Sequence, residues 1–198
     1  MRPAKAIEAN RTMQMFSDCV AGRSADTAKV DKLFRQPSDG PGLAAAGKAL
    51  GLGQCMPESL LRTQMRMSPS LMRAALFDAR YRRQFGKQAV DITNVAPLTV
   101  ANEFDGTPSS VDVFTRRLGD CVVRKTPAAS RDLALSRSGS DAENQALTLI
   151  RPALSGCMTA DNTLRLSRPM VRGIVGEALY KLSLAAAPDA GRIAGTKN

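Results

Sequence analysis

No histidine occurs anywhere in the 198 residues. Imidazole is the commonest general base, the usual activator of Ser and Cys nucleophiles and a frequent metal ligand, so all of those arrangements are excluded. Four cysteines are the next chemistry-bearing set: Cys19, Cys55, Cys121 and Cys157. They show no Cys-x-x-Cys pairing of the kind that grips zinc, and a metal site is not expected. Asp18 and Asp120 directly precede Cys19 and Cys121. A neighbouring negative charge disfavours the thiolate, so a reactive cysteine is not expected either. What remains is a structural disulfide in each half of the chain, with four inert buried thiols as the alternative. The glycine-rich stretches GPGLAAAGK (40–48) and GLGQC (51–55) lack both the preceding strand and the Lys-Ser/Thr ending of a phosphate loop. The chain reads as non-enzymatic, with no catalytic, cofactor or metal site.

Charge is the other feature that can act on a partner. Lys and Arg number 28 against 18 acidic residues, a formal net charge of +10. Both ends of the chain are basic, while residues 87–107 carry an acidic excess. The densest cationic run is RYRRQFGK, with Arg80, Arg82 and Arg83. It can contact phosphates or an anionic surface, although arginines also suit a solvated helix C-terminus. With six Phe, two Tyr and no Trp, a base-stacking platform is not expected, and specific nucleic-acid recognition is not expected.

These residues sit in a repeating frame. SDCV (17–20) returns as GDCV (119–122), 102 positions later, and the same offset matches Leu33 with Leu135, Arg35 with Arg137, Ser38-Asp39 with Ser140-Asp141 and Cys55-Met56 with Cys157-Met158. From 16 to 56 the alignment runs without a gap and holds 11 identities in 41 positions. Farther on the offset is 99, pairing Arg73 with Arg172 and Tyr81 with Tyr180. An internal duplication is expected. Arg73 with Tyr81, and Arg172 with Tyr180, are candidate contact residues that recur; a core-closing tyrosine with an arginine over it is the blander account.

Apolar spacing in both halves is helical. In the second half, Ser109-Ser110 can cap a helix whose apolar positions are Val111, Phe114, Leu118, Cys121 and Val122. Thr126-Pro127 opens a short helix through Leu135, and Ser140-Asp141-Ala142-Glu143 forms a capping box for a third, which Pro152 should kink or shorten. Ser167 and Pro169 open a fourth. The first half follows the same plan: a helix with Met13, Phe16 and Val20, then 26–35, then a glycine-weakened 43–52, then Ser68 through about Arg83. The expected fold is all-α, two tandem four-helix repeats spanning 1–86 and 108–187, with a linker at 87–107 and a loose tail at 188–198. No run of 18 apolar residues is present, so no membrane span is expected.

An Asp-Cys-Val helix, a Cys-Met turn and a Ser-initiated helix ending Ala-x-Tyr-Arg/Lys together resemble uncharacterised helical exported proteins of alphaproteobacteria. The resemblance covers 16–83 and 114–182, implies an exported location and carries no activity with it. The first 25 residues hold no continuous apolar stretch of signal-peptide type, so export is expected to depend on a signal encoded upstream of Met1. The leading expectation is a binding or structural module of the bacterial envelope, periplasmic or secreted, meeting an anionic surface or a protein partner. A cytosolic basic protein that binds nucleic acid without sequence specificity is the alternative.

Four cysteines allow three pairings. A unit that was stable before duplication carried its own bridge, so Cys19 is expected to bond Cys55, and Cys121 to bond Cys157. Each bridge closes a loop worth roughly 3 to 4 kcal/mol of stability on the chain-entropy account. Peptide mapping without reduction is expected to recover those two cross-linked peptides, and a Cys19–Cys121 or Cys19–Cys157 peptide would refute self-contained repeats.

Overall fold

The computed structural model describes residues 3–50, 55, 68–158 and 166–187. Among them are eight α-helices and no strand: α1 Pro3–Gly22, α2 Thr27–Phe34, α3 Pro41–Ala49, α4 Pro69–Phe85, α5 Ser110–Lys125, α6 Pro127–Leu135, α7 Asp141–Cys157 and α8 Arg168–Ala186. Cys19 is bonded to Cys55 and Cys121 to Cys157, with Cα separations of 5.7 and 6.0 Å, one disulfide in each half. The expected tail from Pro188 and the loop that would hold the change of offset lie outside the described residues.

Helix starts follow their local chemistry. Ser109 accepts from the Asp112 amide while Asp112 returns to the Ser109 amide, a closed capping box. Proline opens α3, α4, α6 and α8 within the first turn, where its missing N–H costs nothing. At Ser140 only half of the expected box forms. The serine hydroxyl accepts from Glu143 N, but the Glu143 carboxylate turns to the Gly139 amide and to Arg172, because the buried guanidinium is the stronger partner. Helix α7 does not stop at Pro152 but runs on to Cys157. Ile150 and Ala153 are buried on either side of the proline, and that packing outweighs the lost backbone hydrogen bond.

Burial corrects the gapless alignment of the two halves. Offset 102 holds for α1 and α5, where Phe16 matches Leu118 and Val20 matches Val122, all buried. In the next two helices it pairs buried Leu33 with the exposed Leu135, and an offset of 100 restores like with like: Leu33 with Leu133, Ala46 with Ala146, Leu50 with Ile150. The cause is the connection before α2. A 3₁₀ turn at Ser24–Asp26 separates α1 from α2, whereas α5 passes to α6 through Thr126 alone.

The halves meet along α4 and α8, which make the most extensive helix contact among the described residues. The sequence of α8 permits this closeness: a Cβ on Gly173 would lie 2.3 Å from Ala74 Cβ, and one on Gly176 would lie 3.0 Å from Asp78 Cα. Small residues on both helices let the backbones approach until polar side chains can cross between them. Gly173→Ala is expected to destabilise the protein by about 1 to 3 kcal/mol through overpacking. Adding Ala74→Gly should recover part of that loss in urea denaturation; no recovery would mean that the two positions do not share the contact.

Candidate functional site

Helix α4 carries RAALFDARYRR from Arg73 to Arg83, and its residues divide between holding the seam and facing solvent. Arg73 is buried. It donates to the Gln36 carbonyl, to Ser38 Oγ at 2.6 Å and to Asp112 Oδ1 at 2.9 Å. Its counterpart Arg172, also buried, donates to Asp78 Oδ2 at 2.8 Å, Glu143 Oε1 at 3.0 Å and the Ser136 carbonyl at 2.7 Å. Each arginine therefore ties down the turn after the second helix of its own half and then crosses to a carboxylate of the other. The guanidiniums are buried crossing points whose partners are carboxylates, carbonyls and a hydroxyl of other segments.

The two tyrosines also cross. Tyr81 is 2% exposed and belongs to the core of the second half, its hydroxyl accepting from Arg131 at 3.0 Å. Tyr180, half-buried on α8, packs against Phe34 and Phe77 of the first half with centroids 6.2 and 5.9 Å away. Two of the four cations of the basic run are used within the fold. Arg80 is buried, with Asp31 at 3.9 Å; Arg82 binds Asp18 at 2.6 Å, and also Asp78. Arg83 and Lys87 remain exposed.

Around Tyr180 the surface forms a shallow, wide-open cleft of about 590 Å³. Phe34 and Phe77 lie stacked in its wall, centroids 3.6 Å apart and planes 9° from parallel, an arrangement that presents an aromatic face. Lys32 and Arg35 come from the end of α2, Lys181 from α8, and Asn102 and Glu103 from the segment between α4 and α5. That segment, expected as a linker, is fastened to both halves. Arg124 donates to the Val95 and Ala96 carbonyls, the Asp105 amide donates to the Arg35 carbonyl, and Glu103 binds both Arg116 and Lys181. Glu103 and Asp105 are thus paired with cations, Asp105 with Arg35, while Asp91 accepts from Thr93. Asn102 turns the chain there with a φ of 58°, a left-handed conformation that asparagine tolerates.

Burial would push the Glu103 carboxyl up, but Lys181 and Arg116 outweigh it and hold the group below its ordinary range. Lys181 is drawn down by burial and by Arg116 despite Glu177 and Glu103. Tyr180 is pushed up, first by burial and further by Asp31, with Arg80 opposing. Its phenol therefore keeps the proton at neutral pH and can serve as a donor.

No family model, curated protein or solved structure matches the chain. Sequence reading had flagged Tyr180 but not Phe34, Phe77, Lys32, Arg35, Lys181 or Glu103. No local signal marked them, because the cleft forms only where distant segments meet.

Asp112 gives the seam a pH dependence. Burial alone would raise it; hydrogen bonds from the Ser38 hydroxyl, Arg73, the Ser38 amide and Ser109 outweigh that and lower it from 3.8 to about 2. A depressed carboxyl binds its proton less tightly folded than unfolded, so its contribution is fully present above pH 3.8 and is lost as pH falls through about 2. Urea titrations at a series of pH values should show that acid loss in the parent and a shallower one in Asp112→Asn. At neutral pH Asp112→Ala is expected to cost about 3 to 5 kcal/mol, since it leaves Arg73 buried without its carboxylate; a cost below about 1 kcal/mol would deny that the pair holds the seam.

Proposed function

We propose that this chain is a non-catalytic binding module that works in an oxidising compartment, the cell envelope or beyond it, and that it takes its ligand in the cleft beside Tyr180. The observation that carries this reading is the cleft itself: open space of ligand size bordered by an aromatic stack and by cations from both halves. Pockets that combine apolar ring surface with a few placed polar groups are the usual form of a small-molecule site. The two disulfides favour the compartment, because such bonds persist where thiols are not kept reduced. Side chains around the cleft offer stacking and charge, the chemistry of holding a molecule rather than transforming it.

The use of Arg80 and Arg82 inside the fold weighs against a broad phosphate-binding face built on the basic run. NMR of the oxidised protein against a library of small soluble fragments tests the reading. Ligands are expected to shift the Phe34 and Tyr180 ring signals and to lose affinity in Phe34→Ala. Fragments that shift only signals remote from these rings would remove the cleft from consideration. Binding to labelled duplex DNA should fall by orders of magnitude as salt rises to about 200 mM; a tight complex that survives there would overturn the proposal in favour of nucleic acid.

A further inference from the structure

We propose that the cleft selects a small planar organic anion, a flat ring bearing one carboxylate or comparable oxyanion, which stacks on Phe34 and sets its charge toward Lys32. This rests on the reading of the cleft as a ligand site and adds the ligand's chemistry to it.

The ring preference comes from the geometry of the aromatic wall. Phe77 is 1% exposed and lies in a near-parallel stack with Phe34. Phe34 itself is half-buried and lines the cleft, so the stack continues only outward from Phe34. Tyr180, inclined 59° to Phe34, forms a side wall against which a ring edge can rest. A flat ligand extends the aromatic surface from Phe34, with its own ring free to lie offset from it.

The sign of the charge follows from which cations are already engaged. Lys181 is held by Glu103 and by Glu177 at 3.7 Å, and Arg35 by Asp105 at 3.4 Å. Asp31, the other carboxylate bordering the cleft, has the Arg80 guanidinium at 3.9 Å. Lys32, exposed at the mouth, has no carboxylate within ion-pair distance among the described residues. A ligand oxyanion therefore meets one uncommitted ammonium, and the Tyr180 phenol adds a hydrogen-bond donor. A ligand cation meets the opposite situation. Lys181 Nζ already lies over the Phe77 ring at 5.5 Å, so the attraction an aromatic wall offers to positive charge is partly satisfied and an incoming ammonium faces repulsion.

Three probes of one shape and different charge separate the possibilities: benzoate, benzyl alcohol and benzylamine, titrated into the oxidised full chain at low salt and followed through the Phe34 and Tyr180 signals. Benzoate is expected to bind about fivefold more tightly than benzyl alcohol, with benzylamine weakest. Lys32→Gln changes an exposed side chain; it should abolish the advantage of benzoate while leaving benzyl alcohol unaffected. If all three bind alike, or benzoate keeps its lead in Lys32→Gln, the charge selection is wrong while the cleft stands as a site. If none of the three moves those ring signals, the cleft reading fails and the anion goes with it.

Discussion

A guanidinium cannot shed its proton inside a protein, so every buried arginine dictates where a carboxylate must be. Arg73, Arg80, Arg116 and Arg172 are buried here, and each meets a carboxylate across a boundary between segments: Asp112 on α5, Asp31 on α2, Glu103 with Glu177, and Asp78 with Glu143. Removing Asp112 strands Arg73 away from water, whereas Arg116 and Arg172 each keep a second acid. The positions of α5, of the 99–105 segment and of α7 relative to the central α4–α8 pair follow from this requirement more directly than from apolar contact, which is tolerant of small slides and rotations. Arg116 also faces the Phe104 ring at 6.0 Å, with Arg73 5.7 Å from the same ring, so one aromatic side chain lies near both guanidiniums.

Closeness of α4 and α8 is the condition for those crossings. Gly173 and Gly176 bring the α8 backbone against Ala74 and Asp78, and at that separation Arg172 reaches Asp78 with its stem covered by neighbouring side chains. The tyrosines then exchange places, Tyr81 into the core of the second half and Tyr180 onto the rings of the first. The cleft is a product of this exchange. Its wall combines Phe34 and Phe77 from one half with Tyr180 and Lys181 from the other, so it exists only when the halves are docked.

Helix content and cysteine pairing were legible in the sequence because they are local or stoichiometric: caps at Ser109 and Ser140, proline at helix starts, and one pair of cysteines per half. The register within α2 and α3 was not. Identities such as Leu33 with Leu135 came from a gapless match, while the structure shortens the connection before α6 and moves the buried position to Leu133. The roles of Arg73 and Arg172 were hidden for a different reason. Sequence placed each beside a tyrosine on its own helix, but the partners that decide its position, Asp112 and Asp78, are distant in the chain and recognisable only once α4 and α8 are in contact. The same holds for the cleft, whose residues come from four separated segments.

Both disulfides close within a half, and neither spans the seam. Topologically, the oxidised chain is two covalent rings, 19–55 and 121–157, joined by one open stretch that includes α4 and residues 87–107. A cut in that stretch would leave two closed fragments whose association rests on noncovalent contacts alone, and the whole would then behave as a complementation pair, with its cleft restored in proportion to fragment concentration. Because the cleft wall draws on both fragments, a molecule that bridged Phe34 and Tyr180 would add its binding free energy to their affinity.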